Sequence, residues 1–177
     1  MILNGLFTSK LIYCITVYGG VWGIPGILNE STINSISITK EDIRKLQVLQ
    51  NSALRLIYRK PRETPVMSLL AETNQMSVHQ LVAYHTANQT FKIYKNQEPS
   101  YHYTRLFRTT DNLPNRTGTD IRGARVEFRL SLARNSFFYN AAHLWSALPA
   151  SIKTSQNIEK FKRAVKPWIK KSITMKP

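Results

Sequence analysis

The sequence predicts a mainly α protein: a small helical bundle with a short β-hairpin and C-terminal helices. Three observations carry that prediction. Apolar residues recur at three- and four-residue intervals along most of the chain. Capping residues and prolines punctuate those stretches. Period-two alternation is confined to "TDIRGARVEFRLSLAR", residues 119–134. With 177 residues, 42% of them apolar and eighteen aromatic, the chain can bury a core as one domain, or as a small domain with an appendage.

Residues 3–18 are predicted as a first helix. From Leu11 to Asn29 the chain reads "LIYCITVYGGVWGIPGILN", without a charge. Gly19, Gly20, Gly23, Pro25 and Gly26 interrupt that run, so a buried helix is expected there and not a membrane span. A signal peptide is not expected either, because an early basic region and a small-residue cleavage pattern are missing. A chain opening with its most apolar helix is expected to be the back half of something larger, whose missing part would cover it.

Residues 24–38 read as a loop. Thr39 then caps a helix running to about Tyr58, with Asp42 at capping-box spacing. At 100° per residue Ile43, Leu46, Leu49, Ala53, Leu54, Leu56 and Ile57 fall in one broad arc, expected to face inward. Arg44, Asn51, Arg55 and Arg59 gather opposite, over about 22 Å at 1.5 Å per residue. That is enough to track several phosphates, with Arg59, Lys60 and Arg62 at the exit. A solvated polar face is the plainer alternative for this helix taken alone.

Pro61 and Pro65 bound a connector, and Thr64 is expected to cap a brief helix opening at Pro65. Ser77 caps a longer helix, about 78–96, whose Val78, Leu81, Val82, Tyr84, Phe91 and Ile93 spread over more than one face, so it is expected to pack on two sides. Between Arg105 and Arg134 stand seven arginines and no lysine, interleaved with Phe107 and Phe128. Turning at Gly123, the alternating segment within this stretch supplies the predicted hairpin. Arg122, Arg125 and Arg129 suit phosphate forks, and arginine among aromatics suits base stacking. Ordinary salt-bridged structure is the alternative.

"NSFFYNAAHLWSALP" predicts a deeply buried helix through Phe137, Phe138, Ala141, Ala142, Leu144, Trp145 and Leu148, stopped by Pro149. His143, on its polar side near Tyr139, is expected to be a packed residue. The last helix, "NIEKFKRAVKPWIKK", places Ile158, Phe161, Val165 and Trp168 on one face and Lys162, Arg163, Lys166 and Lys170 on the other. It is expected to dock on the Phe137–Leu148 helix, with Pro167 kinking or ending it. The chain thus divides into a helical region, 1–96, and a basic C-terminal region, 97–177, with the hairpin and two helices.

Net charge narrows the function. The chain carries 25 Lys and Arg against 10 Asp and Glu, +15 overall. Ten basic and six acidic groups fall in residues 1–98, and fifteen and four in 99–177, giving +4 and +11. Such a surface attracts polyanions, nucleic acid first, unless the charge serves solubility alone. Cys14, the single cysteine, forms no internal disulfide, which suits a reducing compartment, nucleus or cytoplasm. No cofactor or metal pattern is present. The one adjacent acidic pair, Glu41–Asp42, sits in a helix first turn, and no phosphate loop or nucleophile–base spacing is found. The chain is not expected to catalyse anything on its own.

Four blocks, in order, resemble the C-terminal part of reverse transcriptases from non-LTR (LINE-type, jockey-like) retrotransposons. "LIYCITVYGGVWG" looks like the Tyr-Gly…Trp-Gly segment just past the polymerase palm. "LQVLQNSALRLIYRKPRETPVMSLLAE" looks like the following Leu-Gln, Gln-Asn, Ala-Leu-Arg helix with its Pro-Arg and Thr-Pro. "FFYNAAHLWSALPASIKTSQNIEKFKRAVK" is similar to the closing block, and "RLSLARNSF" fits its lead-in. After Glu72, "TNQMSVHQLV" lacks the glycine the family often has. The resemblance implies a thumb-like helical region and a C-terminal extension that grip RNA or an RNA–DNA hybrid. It also implies missing palm and fingers as an intramolecular partner. It carries no polymerase activity to this chain, because the metal-binding carboxylates of the palm lie outside the matching blocks. A protein-interaction module and a pseudogene remnant are the competing readings.

Overall fold

A computed structural model describes residues 40–107 and 137–173, with Ser9 as an isolated position. Among the described residues the protein is a helical bundle without strands. The predicted hairpin and the apolar run Leu11–Asn29 lie outside them. Seven helices follow in order: α1 (Lys40–Tyr58), α2 (Val66–Glu72), α3 (Val78–Asn96), α4 (Ser100–Phe107), α5 (Phe137–Ala147), α6 (Ala150–Lys153) and α7 (Ile158–Ser172).

The bundle is organised by α3. Its low amphipathicity, read from the spread of apolar positions, is the signature of a helix packed all round. Val78, Leu81, Val82, Ala83, Ala87, Phe91 and Ile93 are all buried. Helices α7, α5, α1 and α4 each pack against it. The centre is aromatic: Phe91 stacks on Phe161 with ring centroids 4.1 Å apart, and Trp145 lies 6.3 Å from Phe161 and 5.2 Å from Tyr94. Phe107 closes the cluster at 5.9 Å from Trp145. Ring pairs like these add about 0.5–1.5 kcal/mol each beyond the area they bury. The change of composition at residue 97 is therefore a change of charge and not a break in packing, since α3 shares one core with α4, α5 and α7.

Local chemistry sets the helix ends. Ser77 caps α3 in a full capping box: Gln80 N–H donates to Ser77 Oγ at 3.3 Å, and Ser77 N–H donates to Gln80 Oε1 at 3.0 Å. The amide of Gln80 also donates to the Ile173 carbonyl at 2.8 Å, tying the end of α7 to the start of α3. Asn157 caps α7 by accepting from Lys160 N–H at 2.9 Å. Helix α1 ends at Arg59 with φ 50°, and Lys60 N–H reaches back to the Arg55 carbonyl at 2.9 Å. Helix α2 repeats the device at Asn74, φ 53°, with Gln75 N–H on the Leu70 carbonyl at 3.1 Å. These are Schellman closures made without glycine.

Several expectations are corrected. Pro65, not Thr64, occupies the N-cap position of α2, and no side chain caps that helix. Of the two outcomes expected at Pro167, only an end to the helix is overturned, since α7 continues to Ser172. Proline costs one hydrogen bond, but both Pro167 and Arg163 are exposed, so water can serve the carbonyl left free. Helix α7 packs chiefly on α3 and α6, and meets α5 through the Trp145–Phe161 contact. Helices α4 and α6 were not foreseen.

The largest correction concerns α1. Ile43 and Leu54 are buried as expected, but Leu49, Leu56 and Ile57, expected beside them, are 56%, 81% and 40% exposed, as is Val48 at 55%. Gln47, Gln50 and Asn51 are buried in their place. Gln47 Oε1 accepts from Val78 N–H at 2.8 Å, and its amide donates to Gln50 Oε1 and Asn51 Oδ1, each at 2.9 Å. Gln50 Nε2 in turn donates to the Met76 carbonyl at 2.8 Å. The first N–H groups of a helix lack intrahelical acceptors, and Val78 opens α3. Amide side chains can satisfy that end and leucines cannot, so polar matching decides which face of α1 turns inward.

Candidate nucleic-acid interface

The basic side chains expected along α1 do not form a ribbon. Arg44 is exposed and its Nε is paired with Glu41 Oε2 at 3.2 Å. Asn51 is 6% exposed and held in the glutamine network, which removes it from any interface. Arg55 is half-buried, and its Nη2 donates to the Thr64 carbonyl at 3.0 Å. Its Nε is buried without a partner among the described residues. Lys60 pairs with Glu72 and so clamps the connector to the end of α2. Arg59 and Arg62 remain exposed at the helix exit, and their guanidinium groups have no carboxylate or hydrogen-bond partner among the described residues. Arg122, Arg125 and Arg129 lie outside the described residues.

Helix α7 keeps its charge outward. Phe161, Val165 and Ile169 are buried, the outward face holds exposed Lys160, Arg163, Lys166 and Lys171, and half-buried Lys162 and Lys170 complete six cations against the single acid Glu159. Arg163 and Lys166 are exposed and carry no ion pair among the described residues. Lys162 Nζ donates to Glu159 Oε1 at 2.8 Å, and this contact holds the Glu159 carboxyl below its ordinary range while raising the Lys162 ammonium. The pair is open to solvent, where screening leaves little net attraction, so a phosphate can compete for Lys162.

Lys170 is engaged differently. Its Nζ donates to the Asn74 carbonyl at 3.1 Å and to Asn74 Oδ1 at 2.6 Å, bridging α7 to the loop after α2. Burial, then the neighbouring Lys166 charge, lowers its pKa. The same ammonium borders an open groove of about 150 Å³ lined by Met67, Leu70, Gln75, Gln80 and Ile173.

Two cations on the α7 face escaped the sequence reading, Lys160 and Lys171. Their signal was available: at 100° per residue both fall within about 80° of Arg163 and outside the stripe of Phe161, Val165 and Ile169. Lys160 to Lys171 spans about 16 Å at 1.5 Å per residue, or about five phosphates along one strand at 3.4 Å each.

His143 is packed as expected, 4.2 Å from the Tyr139 ring, and burial lowers its pKa. His85 is lowered by burial and by Lys92. Among the described residues no His, Cys, Asp and Glu cluster could hold a metal ion. None of the described helices is long and apolar enough to cross a membrane.

Compared with known protein families, with curated proteins and with solved structures, the chain matches none.

Proposed function

We propose that this chain is a non-catalytic, nucleic-acid-binding piece of a non-LTR retrotransposon RNA-directed DNA polymerase, from the thumb and the region beyond it. It grips RNA or an RNA–DNA hybrid through the outward face of α7, with Arg59 and Arg62 as a second contact. The observation that carries this reading is the imbalance on α7, six cations against one carboxylate over fifteen residues. A face of that kind gains affinity by releasing condensed counterions, without reading sequence. The four sequence blocks supply the ancestry, and nucleus or cytoplasm is the compartment that fits it.

The test is equilibrium binding of the whole chain to RNA, to an RNA–DNA hybrid and to heparin across a salt series. Sequence-tolerant binding that weakens steeply with salt, and prefers either nucleic acid to heparin at equal charge, supports the proposal. Binding to neither nucleic acid refutes it.

One observation favours a second reading, a protein-interaction module. Val48, Leu49 and Leu56 form an outward apolar stripe on α1 beside Arg44 and Lys45. In the retrotransposon reading an intramolecular partner, the missing palm or fingers, would cover this stripe. In the alternative a separate protein does, and RNA then binds no better than heparin.

A further inference from the structure

The half-buried ammonium of Lys170 carries a charge that its surroundings leave unanswered. Both of its acceptors, the Asn74 carbonyl at 3.1 Å and Asn74 Oδ1 at 2.6 Å, are neutral. An ammonium has three N–H donors, so one is left over. Among the described residues no carboxylate pairs with Lys170, and none lines the groove it borders. Burial first, and then the Lys166 charge, lower its pKa, as expected of a cation without a counter-charge.

The groove beside this ammonium is walled by α2, the start of α3 and the end of α7, and its lining is largely hydrocarbon. Leu70 and Ile173 are buried, while Met67 and Ala71 are exposed. Gln80 is already engaged, donating to the Ile173 carbonyl and accepting from Ser77 N–H. Gln75 is not. It is half-buried in the lining, and its side-chain amide has no hydrogen-bond partner among the described residues. One cation, one unengaged amide and an apolar wall are the parts that hold a carboxylate on a short hydrocarbon chain. The ammonium answers the charge, the amide donates a second hydrogen bond, and the chain leaves water for the wall. At about 150 Å³ the groove is smaller than the roughly 300–1,000 Å³ of sites for drug-sized ligands, so its occupant is one small group and not a nucleotide.

We propose that this groove binds a carboxylate bearing a small branched aliphatic group, with Lys170 Nζ and the Gln75 amide on the carboxylate and Met67, Leu70 and Ile173 on the hydrocarbon. A peptide C terminus ending in an aliphatic residue and a free short-chain acid share this chemistry. The inference goes beyond the nucleic-acid reading and stands without it.

The experiment is an amide NMR titration of the whole chain with N-acetyl-leucine, 4-methylpentanoate, N-acetyl-leucine amide and inorganic phosphate, at one ionic strength. Either carboxylate is expected to give saturable shifts centred on the amides of Leu70, Ala71, Gln75 and Ile173. Tighter binding of N-acetyl-leucine assigns a peptide terminus, and tighter binding of 4-methylpentanoate a free acid. The neutral N-acetyl-leucine amide is expected to bind about tenfold more weakly, because the charge-assisted hydrogen bond is lost. Lys170→Gln is expected to lose a similar factor. That change also removes the bridge to Asn74, so a second variant is needed. Ala71→Phe fills the groove from an exposed position and is expected to abolish binding with the melting midpoint unchanged. Absence of saturable shifts from both carboxylates overturns the proposal, as does equal binding of the neutral amide or stronger shifts of the same residues by phosphate. Binding as tight as wild type in Lys170→Gln or Ala71→Phe overturns it too. RNA binding through α7 is read separately, by its salt slope, so either reading can fail without the other.

Discussion

Replacing Gln47 with alanine tests how α1 is held, and the size of the effect follows from the hydrogen bonds it makes. Gln47 gives the buried Val78 N–H its acceptor at 2.8 Å and gives Gln50 and Asn51 their donor at 2.9 Å. Val78 is wholly buried, so water cannot replace the lost acceptor. One buried unsatisfied N–H costs about 1–3 kcal/mol, and two amide oxygens left without a donor add to that. We expect Gln47→Ala to destabilise by about 2–4 kcal/mol, a large share of a total that for such domains is about 5–15 kcal/mol. The assay is urea unfolding, read as a lower midpoint at constant m, together with amide hydrogen exchange. Exchange at Val78 is expected to accelerate more than at Phe91, in the middle of the same helix. Leu56→Ala, at an 81% exposed leucine of the same helix, serves as the control and is expected to stay within about 0.5 kcal/mol. A Gln47 variant as stable as that control, with Val78 still protected, would refute the claim that polar matching orients α1.

Two further predictions concern the ends of helices and pH. Arg59 holds φ 50° where glycine is the usual residue, so Arg59→Gly is expected to stabilise by roughly 0.5–1 kcal/mol in urea unfolding while removing one of the exposed cations. Burial lowers the pKa of His85 and His143, so the unfolded chain binds more protons than the folded one between the depressed values and the ordinary value near 6.5. Stability is therefore expected to be full above that ordinary value and to fall as pH drops through the window below it. A thermal melting series from neutral to mildly acidic pH reads this, and His143→Asn is expected to flatten the slope.

How far the sequence could be read depended on what each helix buries. For α3, α5 and α7 the buried face is hydrocarbon and rings, and apolar spacing located Phe91, Leu144, Trp145, Phe161 and Val165 correctly. Ser77 was legible for a different reason, since a capping serine with glutamine three residues on acts locally. Helix α1 was misread because its inward face is chosen by distant partners: the Met76 carbonyl and the Val78 N–H lie 26 and 31 residues from the glutamines that meet them. No periodicity in α1 carries that information. The candidate site followed the same division. The cations of α7 are outward because its apolar stripe is strong, whereas those of α1 were assigned to a face opposite the wrong stripe. Arg44, Lys60 and Lys162 also have carboxylate partners. The i,i+3 pairs Glu41–Arg44 and Glu159–Lys162 could have been seen in the sequence, and Lys60–Glu72 could not.

The basic face of α7 is the centre of the functional account, and the salt dependence of RNA binding tests it most directly. Each cation on a single-stranded phosphate contributes about 0.7 to the slope of log affinity against log salt. Arg163→Gln, Lys166→Gln and Lys171→Gln together are expected to lower that slope by about 2, while the charge-preserving Arg163→Lys leaves it as in the native chain. A slope that stays the same after all three cations are removed would contradict the assignment of α7 as the surface that holds nucleic acid.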